Sequence, residues 1–95
     1  MATLRPEEIQ EKLKQLHEWK LVDEEIVREF SFAGFVEALR FVNAVGEKAE
    51  AAGHHPDIDI RYNRVKLVLT THDAGGLTTK DFDLARTTDD IYSKF

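Results

Sequence analysis

The chain has 95 residues, 42% hydrophobic and 33% charged, with a formal net charge of −5 and no cysteine. That length supports one hydrophobic core and is too short for two, so residues 1–95 are expected to form a single domain. The acidic balance argues against direct nucleic-acid binding, which needs clustered Lys and Arg, and the missing cysteines exclude disulfides and thiolate chemistry.

No apolar stretch is long enough for a membrane span, and the N-terminus carries no basic, hydrophobic leader, so a cytoplasmic protein is expected. Thr3 followed by Pro6, Glu7 and Glu8 reads as a helix start, because a hydroxyl can cap free amides and early carboxylates suit the positive helix end. The spacing of Ile9, Leu13 and Leu16 predicts an amphipathic helix from Pro6 to His17. Trp19 to Val22 and Ile26 to Phe32, rich in aromatic and β-branched residues, flank the acidic connection Asp23-Glu24-Glu25 and predict an antiparallel hairpin. After Gly34, the series Phe35, Val36, Leu39, Val42, Val45 and Ala49 predicts a second, well-buried helix that Gly53 terminates.

Asp57 to Tyr62 and Val65 to Leu69 both alternate, and Asn63-Arg64 fits a two-residue turn. That register sets Tyr62 against Val65, Ile60 against Leu67 and Ile58 against Leu69, with Tyr62 filling the hairpin core, and it continues to place His72 opposite His55. By parity His72 falls on the sheet face away from the apolar layer. Ala74-Gly75-Gly76 breaks the strand, Thr78 or Thr79 can cap a third helix, and Phe82, Ala85, Ile91, Tyr92 and Phe95 form its apolar stripe. The order α-β-β-α-β-β-α predicts an α+β two-layer domain, a four-stranded antiparallel sheet with the helices packed on one face.

Chemistry concentrates in Glu50-Ala-Ala-Gly-His54-His55-Pro56 and His72, which hold three of the chain's four histidines. Histidine's unperturbed pKa of about 6.5 lets a cluster hold protonated and neutral rings together, as proton transfer near neutral pH requires. Pro56 pushes the preceding backbone toward extended or turn geometry, so both neighbouring rings can face one cleft. Glu50, four residues before His54, is placed to orient an imidazole. His17, near a helix end, and Asp81, in the first turn of the third helix, have ordinary structural readings. A divalent metal held by these histidines with Glu50, Asp57 or Asp73 is the rival reading, although HExxH and CxxC spacings are absent. No phosphate loop, GxSxG or Rossmann glycine motif occurs.

Glu50-x3-His54-His55-Pro56-x5-Tyr62-x9-His72-x8-Asp81 resembles the motif of the pterin-4a-carbinolamine dehydratases, over essentially the whole chain. The Trp19 strand, the long central helix, Tyr62-Asn63 at the hairpin and Thr71-His72 before a glycine loop resemble that family too. The resemblance implies a hydro-lyase that dehydrates 4a-hydroxytetrahydropterin to quinonoid dihydropterin in tetrahydrobiopterin recycling, without metal or organic cofactor. It implies His54 and His72 as general acid/base groups, His55 as a catalytic residue that also binds and orients the substrate, and Glu50 as support for the cluster. Thr71, His72 and Asp81 are its further substrate-binding residues. Ile58 departs from the animal pattern, in which an aromatic residue often stands there to contact the pterin. The resemblance further implies a homodimer or homotetramer. A non-catalytic dimerisation, coactivator or assembly module is the alternative.

Overall fold

In the computed structural model, which describes residues 2–95, three helices cover one face of an antiparallel sheet. The elements are α1 (Pro6–Leu13), β1 (Lys20–Val22), β2 (Glu25–Ser31), α2 (Phe35–Ala52), β3 (Asp57–Arg61), β4 (Arg64–Leu69) and α3 (Thr79–Tyr92), in the predicted order. Across the sheet the strands run β1-β2-β4-β3. The second hairpin therefore sets β4 beside β2 and leaves β3 as an edge.

Pro6 opens α1 as expected, but the residue before the helix is Arg5 rather than Thr3. Glu8 accepts a hydrogen bond from the Arg5 backbone N–H at 2.9 Å, and this bond holds its carboxyl below the usual carboxylate range. The helix ends at Leu13 and the chain tightens into turns that bring Leu16 and Trp19 into the core, short of the predicted end at His17.

Alternation decides which side of each strand is buried. Ile26 and Phe30 of β2 and Val65, Leu67 and Leu69 of β4 are almost wholly shielded, and Phe41, Val45 and Ala49 of α2 and Phe82 and Ala85 of α3 pack on them. At about 1.5–3 kcal/mol for each large apolar side chain removed from water, this layer is the main favourable term of the fold. Only part of the stripe predicted for α2 lies in it. Phe35, Val36 and Leu39 are exposed, and the buried face is Ala38, Phe41, Val45 and Ala49. The helix thus carries a second apolar strip that faces solvent.

The β3–β4 register differs from the sequence expectation by two residues. Ile60 pairs with Val65 and Ile58 with Leu67, because the turn residues are Tyr62 and Asn63 rather than Asn63 and Arg64. The cause lies outside the hairpin. Asn63 is tied to the end of β2, its side-chain amide donating to the Phe32 carbonyl at 3.0 Å and its own carbonyl accepting from the Phe32 N–H at 2.9 Å. With Asn63 held there, Tyr62 turns the corner in a left-handed conformation, φ 53°, with its ring exposed instead of filling the core. An even shift preserves parity, so the predicted apolar face survives.

One polar group on the core face escaped the sequence reading. Arg28, between Ile26 and Phe30, donates to Asp89 Oδ1 at 2.7 Å, and Trp19 Nε1 donates to the same oxygen at 2.9 Å. The guanidinium also lies over the rings of Phe30 and Tyr92, 4.5 and 5.1 Å from their centroids. Removing one partner leaves a largely desolvated charge, so Asp89→Ala is expected to cost about 3 kcal/mol. Asp89→Asn, which keeps an acceptor for Trp19, should cost less, read as the urea midpoint at constant slope. Asn63→Ala, which removes the bond to Phe32, should cost about 1 kcal/mol in the same measurement.

Candidate active site

The end of α2 sets the position of His54. Gly53 adopts the left-handed conformation at φ 64°, its N–H bonds the Glu50 carbonyl at 3.1 Å, and the His54 N–H bonds the Ala49 carbonyl at 3.1 Å. This paired closure satisfies carbonyls that the helix would leave free, and it turns the chain so that the His54 side chain points inward. The residue retains 9% of its exposure.

The start of α3 supplies its partner. Thr78 caps the helix, its hydroxyl accepting from the Lys80 N–H, and Asp81 reaches back to accept the Thr78 N–H at 3.0 Å. Asp81 is fully buried. Its Oδ1 lies 2.5 Å from His54 Nε2, and its Oδ2 accepts the Thr71 hydroxyl at 2.8 Å. Thr71 and Thr78 share a further bond at 2.8 Å. Three stretches of chain therefore meet at one carboxylate: His54 just beyond the Gly53 cap of α2, the residue preceding His72, and the first turn of α3.

Two expectations from the sequence meet a different geometry. Asp81 and Thr71 were expected to bind substrate, but Asp81 has no exposed surface and Thr71 has 7%, and their polar atoms are engaged with each other and with Thr78 and His54. They build the site from behind. Glu50 was placed to orient an imidazole, and the one it bonds is His55, Nε2 to Oε1 2.8 Å, with both side chains open to solvent. An exposed pair of this kind contributes little to stability but does limit where the His55 ring points.

His72 does not stand opposite His55. β4 ends at Leu69, Thr71 makes its backbone pairing with Gly76, and His72 begins a single 3₁₀ turn, His72–Ala74, which Gly75 closes at φ 79°. The hydrogen bonds that would have extended the β3–β4 ladder close this small loop instead. His72 is exposed and borders an open concavity of about 710 Å³ with Asp23, Glu24, Glu25, Thr70, Gly75 and Gly76. His54 borders a different one, about 420 Å³, between Lys48, Ala51 and Ala52 of α2 and Lys80, Leu84 and Thr87 of α3. The expected single cleft shared by three rings is thus resolved into a buried His54 and two exposed histidines, with Thr71 linking the backbone at His72 to the Asp81–His54 pair.

Among the described residues no three His, Asp or Glu side chains are gathered as a metal site, and no helix is long and apolar enough to cross a membrane. From the sequence alone Thr78 is one of two candidate caps for the third helix. Its spacing to Asp81 is that of a reciprocal cap, the one signal in the sequence that the two act together. Ile58 is 41% exposed on the edge strand, so the position where the animal pattern often has an aromatic residue is open to solvent. Because an added Cβ at Gly53 meets no neighbour but the backbone there is left-handed, Gly53→Ala should cost about 1 kcal/mol, measured by urea unfolding.

Comparison with known proteins agrees over nearly the full length. The family model described as pterin 4 alpha carbinolamine dehydratase matches residues 2–91. A relative from Acidobacterium capsulatum, provisionally named pterin-4-alpha-carbinolamine dehydratase, is 65% identical over 85 residues, which is 90% of this chain and 92% of the relative. One from Picosynechococcus, with the same provisional name, is 60% identical over 92 residues, 96% of this chain and 100% of the relative. The crystal structure of a transcriptional coactivator/pterin dehydratase from Brucella melitensis is similar at a TM-score of 0.92 and 36% identity, covering 96% of this chain and 99% of that one. A pterin dehydratase-like RuBisCO assembly factor of the alpha-carboxysome shares the fold alone, with a TM-score of 0.64 and 19% identity over 78% of this chain and 86% of its own. A motif, a fold and a family model that agree over residues 2–91 make this chain a member of the pterin 4 alpha carbinolamine dehydratase family.

Proposed function

We propose that the chain is a hydro-lyase that removes water from a 4a-hydroxytetrahydropterin to give the quinonoid dihydropterin, in tetrahydrobiopterin recycling. The observation that carries the reading is His54, nine-tenths buried and bonded through Nε2 to Asp81, in a chain of the dehydratase family. Dehydration breaks the C4a–O bond while a proton is delivered to the leaving oxygen and another is removed from a ring nitrogen as the double bond forms. Both halves suit imidazole, which can donate a proton from one nitrogen and accept one on the other. In this scheme His54 and His72 are the general acid/base groups, carried on two stretches of chain that Thr71 and Asp81 tie together. His55, oriented by Glu50, binds and positions the substrate. No step requires an electron carrier or an external nucleophile, since water is the leaving group.

A second reading has its own observation. Phe35, Val36 and Leu39 form an exposed apolar strip on α2, and the edge of β3 is unpaired, so self-association as a homodimer or homotetramer is part of the proposal. The Brucella relative is called a transcriptional coactivator as well as a pterin dehydratase, which supports keeping a coactivator role as the alternative. Cytoplasmic residence is part of the proposal; among the described residues no helix is long and apolar enough to cross a membrane.

The test is a dehydratase assay on freshly generated 4a-hydroxytetrahydropterin. His54→Ala and His72→Ala, each verified as folded by circular dichroism, are expected to lower kcat by about 10²- to 10⁴-fold, with the double variant lower still. A wild-type rate no faster than the uncatalysed background would remove the enzymatic reading. Full activity in both variants, with assembly lost on Val36→Asp, would establish the module instead.

A further inference from the structure

We propose that Thr71 and Thr78 are positioning residues which hold the Asp81 carboxylate with Oδ1 turned to His54 Nε2, so that the ring keeps its Nε2–H form and Nδ1 is the atom that exchanges protons with the substrate. The proposal rests on the dehydratase reading for the words "with the substrate"; the positioning itself does not.

A count of hydrogens carries it. A hydroxyl has one hydrogen to give, and a carboxylate oxygen only accepts. Thr71 Oγ1 lies 2.8 Å from Asp81 Oδ2, so the Thr71 hydrogen is committed to that oxygen. The 2.8 Å contact between Thr71 and Thr78 must then be donated by Thr78. The Thr78 oxygen is free to do so, because its other contact, 3.3 Å from the Lys80 N–H, is one in which it accepts. The Thr78 backbone N–H also points at Oδ2, 3.0 Å away. Every hydrogen in the chain Thr78, Thr71, Asp81 therefore runs toward the carboxylate, and Oδ2 is occupied by two donors. Oδ1 is left to accept from His54 Nε2.

His54 thus carries a hydrogen on Nε2 whether its ring is neutral or charged, and the proton that comes and goes does so at Nδ1. Among the described residues Nδ1 has no hydrogen-bond partner, and His54 borders the concavity between α2 and α3. Lys80 contributes its N–H to the chain, and Lys80, Lys48 and Asp83 are the charged residues that border the same concavity. Hydrogen bonds aligned in one direction polarise each other, so removing the distal hydroxyl is felt at the imidazole. Neither threonine touches the ring, and both act only through Asp81.

The experiment has two arms, with Thr71→Val and Thr78→Val compared against Thr71→Ser and Thr78→Ser. The first needs no activity: ¹⁵N NMR of the folded protein with labelled histidine distinguishes the nitrogen that carries the hydrogen. Neutral wild-type His54 is expected as the Nε2–H tautomer, with a second tautomer appearing in the valine variants and vanishing in the serine ones. An Nδ1–H tautomer in the wild type, or an unchanged tautomer in both valine variants, overturns the positioning. The second arm is the pH dependence of kcat. The valine variants should lose about ten- to a hundredfold, a share of the about 10²- to 10⁴-fold that acid/base catalysis supplies, with the limb assigned to His54 displaced and with rescue by serine. A uniform loss without displacement would reduce the threonines to stabilising residues and overturn the proposal. Wild type that catalyses no dehydration while showing the Nε2–H tautomer would sink the dehydratase reading and the proton-exchange role, and leave the positioning standing.

Discussion

A single buried carboxylate organises this molecule. Asp81 receives a ring nitrogen from His54, a hydroxyl from Thr71 and a backbone amide from Thr78, and these donors come from the ends of α2, β4 and the start of α3. Burying a charged group without partners costs several kcal/mol, whereas a carboxylate with donors on both oxygens is tolerated in a core. The burial penalty therefore acts as a constraint. The three segments are held in one mutual arrangement because any other leaves the charge without donors.

The same device recurs at the other end of α3. Asp89 gathers Arg28 of β2 and the Trp19 indole, and Tyr92 reaches the Ser31 carbonyl at 2.9 Å. Between these two anchors Phe82, Leu84 and Ala85 pack into the apolar layer. The apolar contacts supply most of the favourable free energy but are weakly directional, so alone they would leave the helix free to slide or rotate by small amounts. The polar anchors set its register. Precision at His54 is thus a property of the whole helix and the strands beneath it.

The arrangement also separates rigidity from access. His54, the most constrained of the histidines, is backed by a closed network, while His55 and His72 sit on the surface, one paired with exposed Glu50 and the other on a single turn between Thr71 and Gly75. The fold therefore offers one histidine held in place by its partners and two on exposed segments that are freer to adjust.

Much of this was legible in the residues alone. Hydrophobic period defined the seven elements and the buried sheet face, Gly53 marked the end of α2, and the spacing of Glu50, His54, His55, His72 and Asp81 pointed to a family, because these signals depend on neighbours a few residues apart or on a recurring pattern. Which carboxylate meets which histidine was a tertiary matter. Glu50 precedes His54 by one helical turn yet bonds His55, while His54 is bonded by Asp81, 27 residues on. The two-residue shift of the β3–β4 hairpin had the same origin, since Asn63 is held by Phe32 of the preceding segment, and alternation cannot distinguish registers of equal parity. The sequence by itself determined the order of the elements, the buried face of the sheet and the family. Only the folded chain decided the partners, because hydrogen bonds between distant segments are chosen by which donors the packed core leaves within reach of a buried charge.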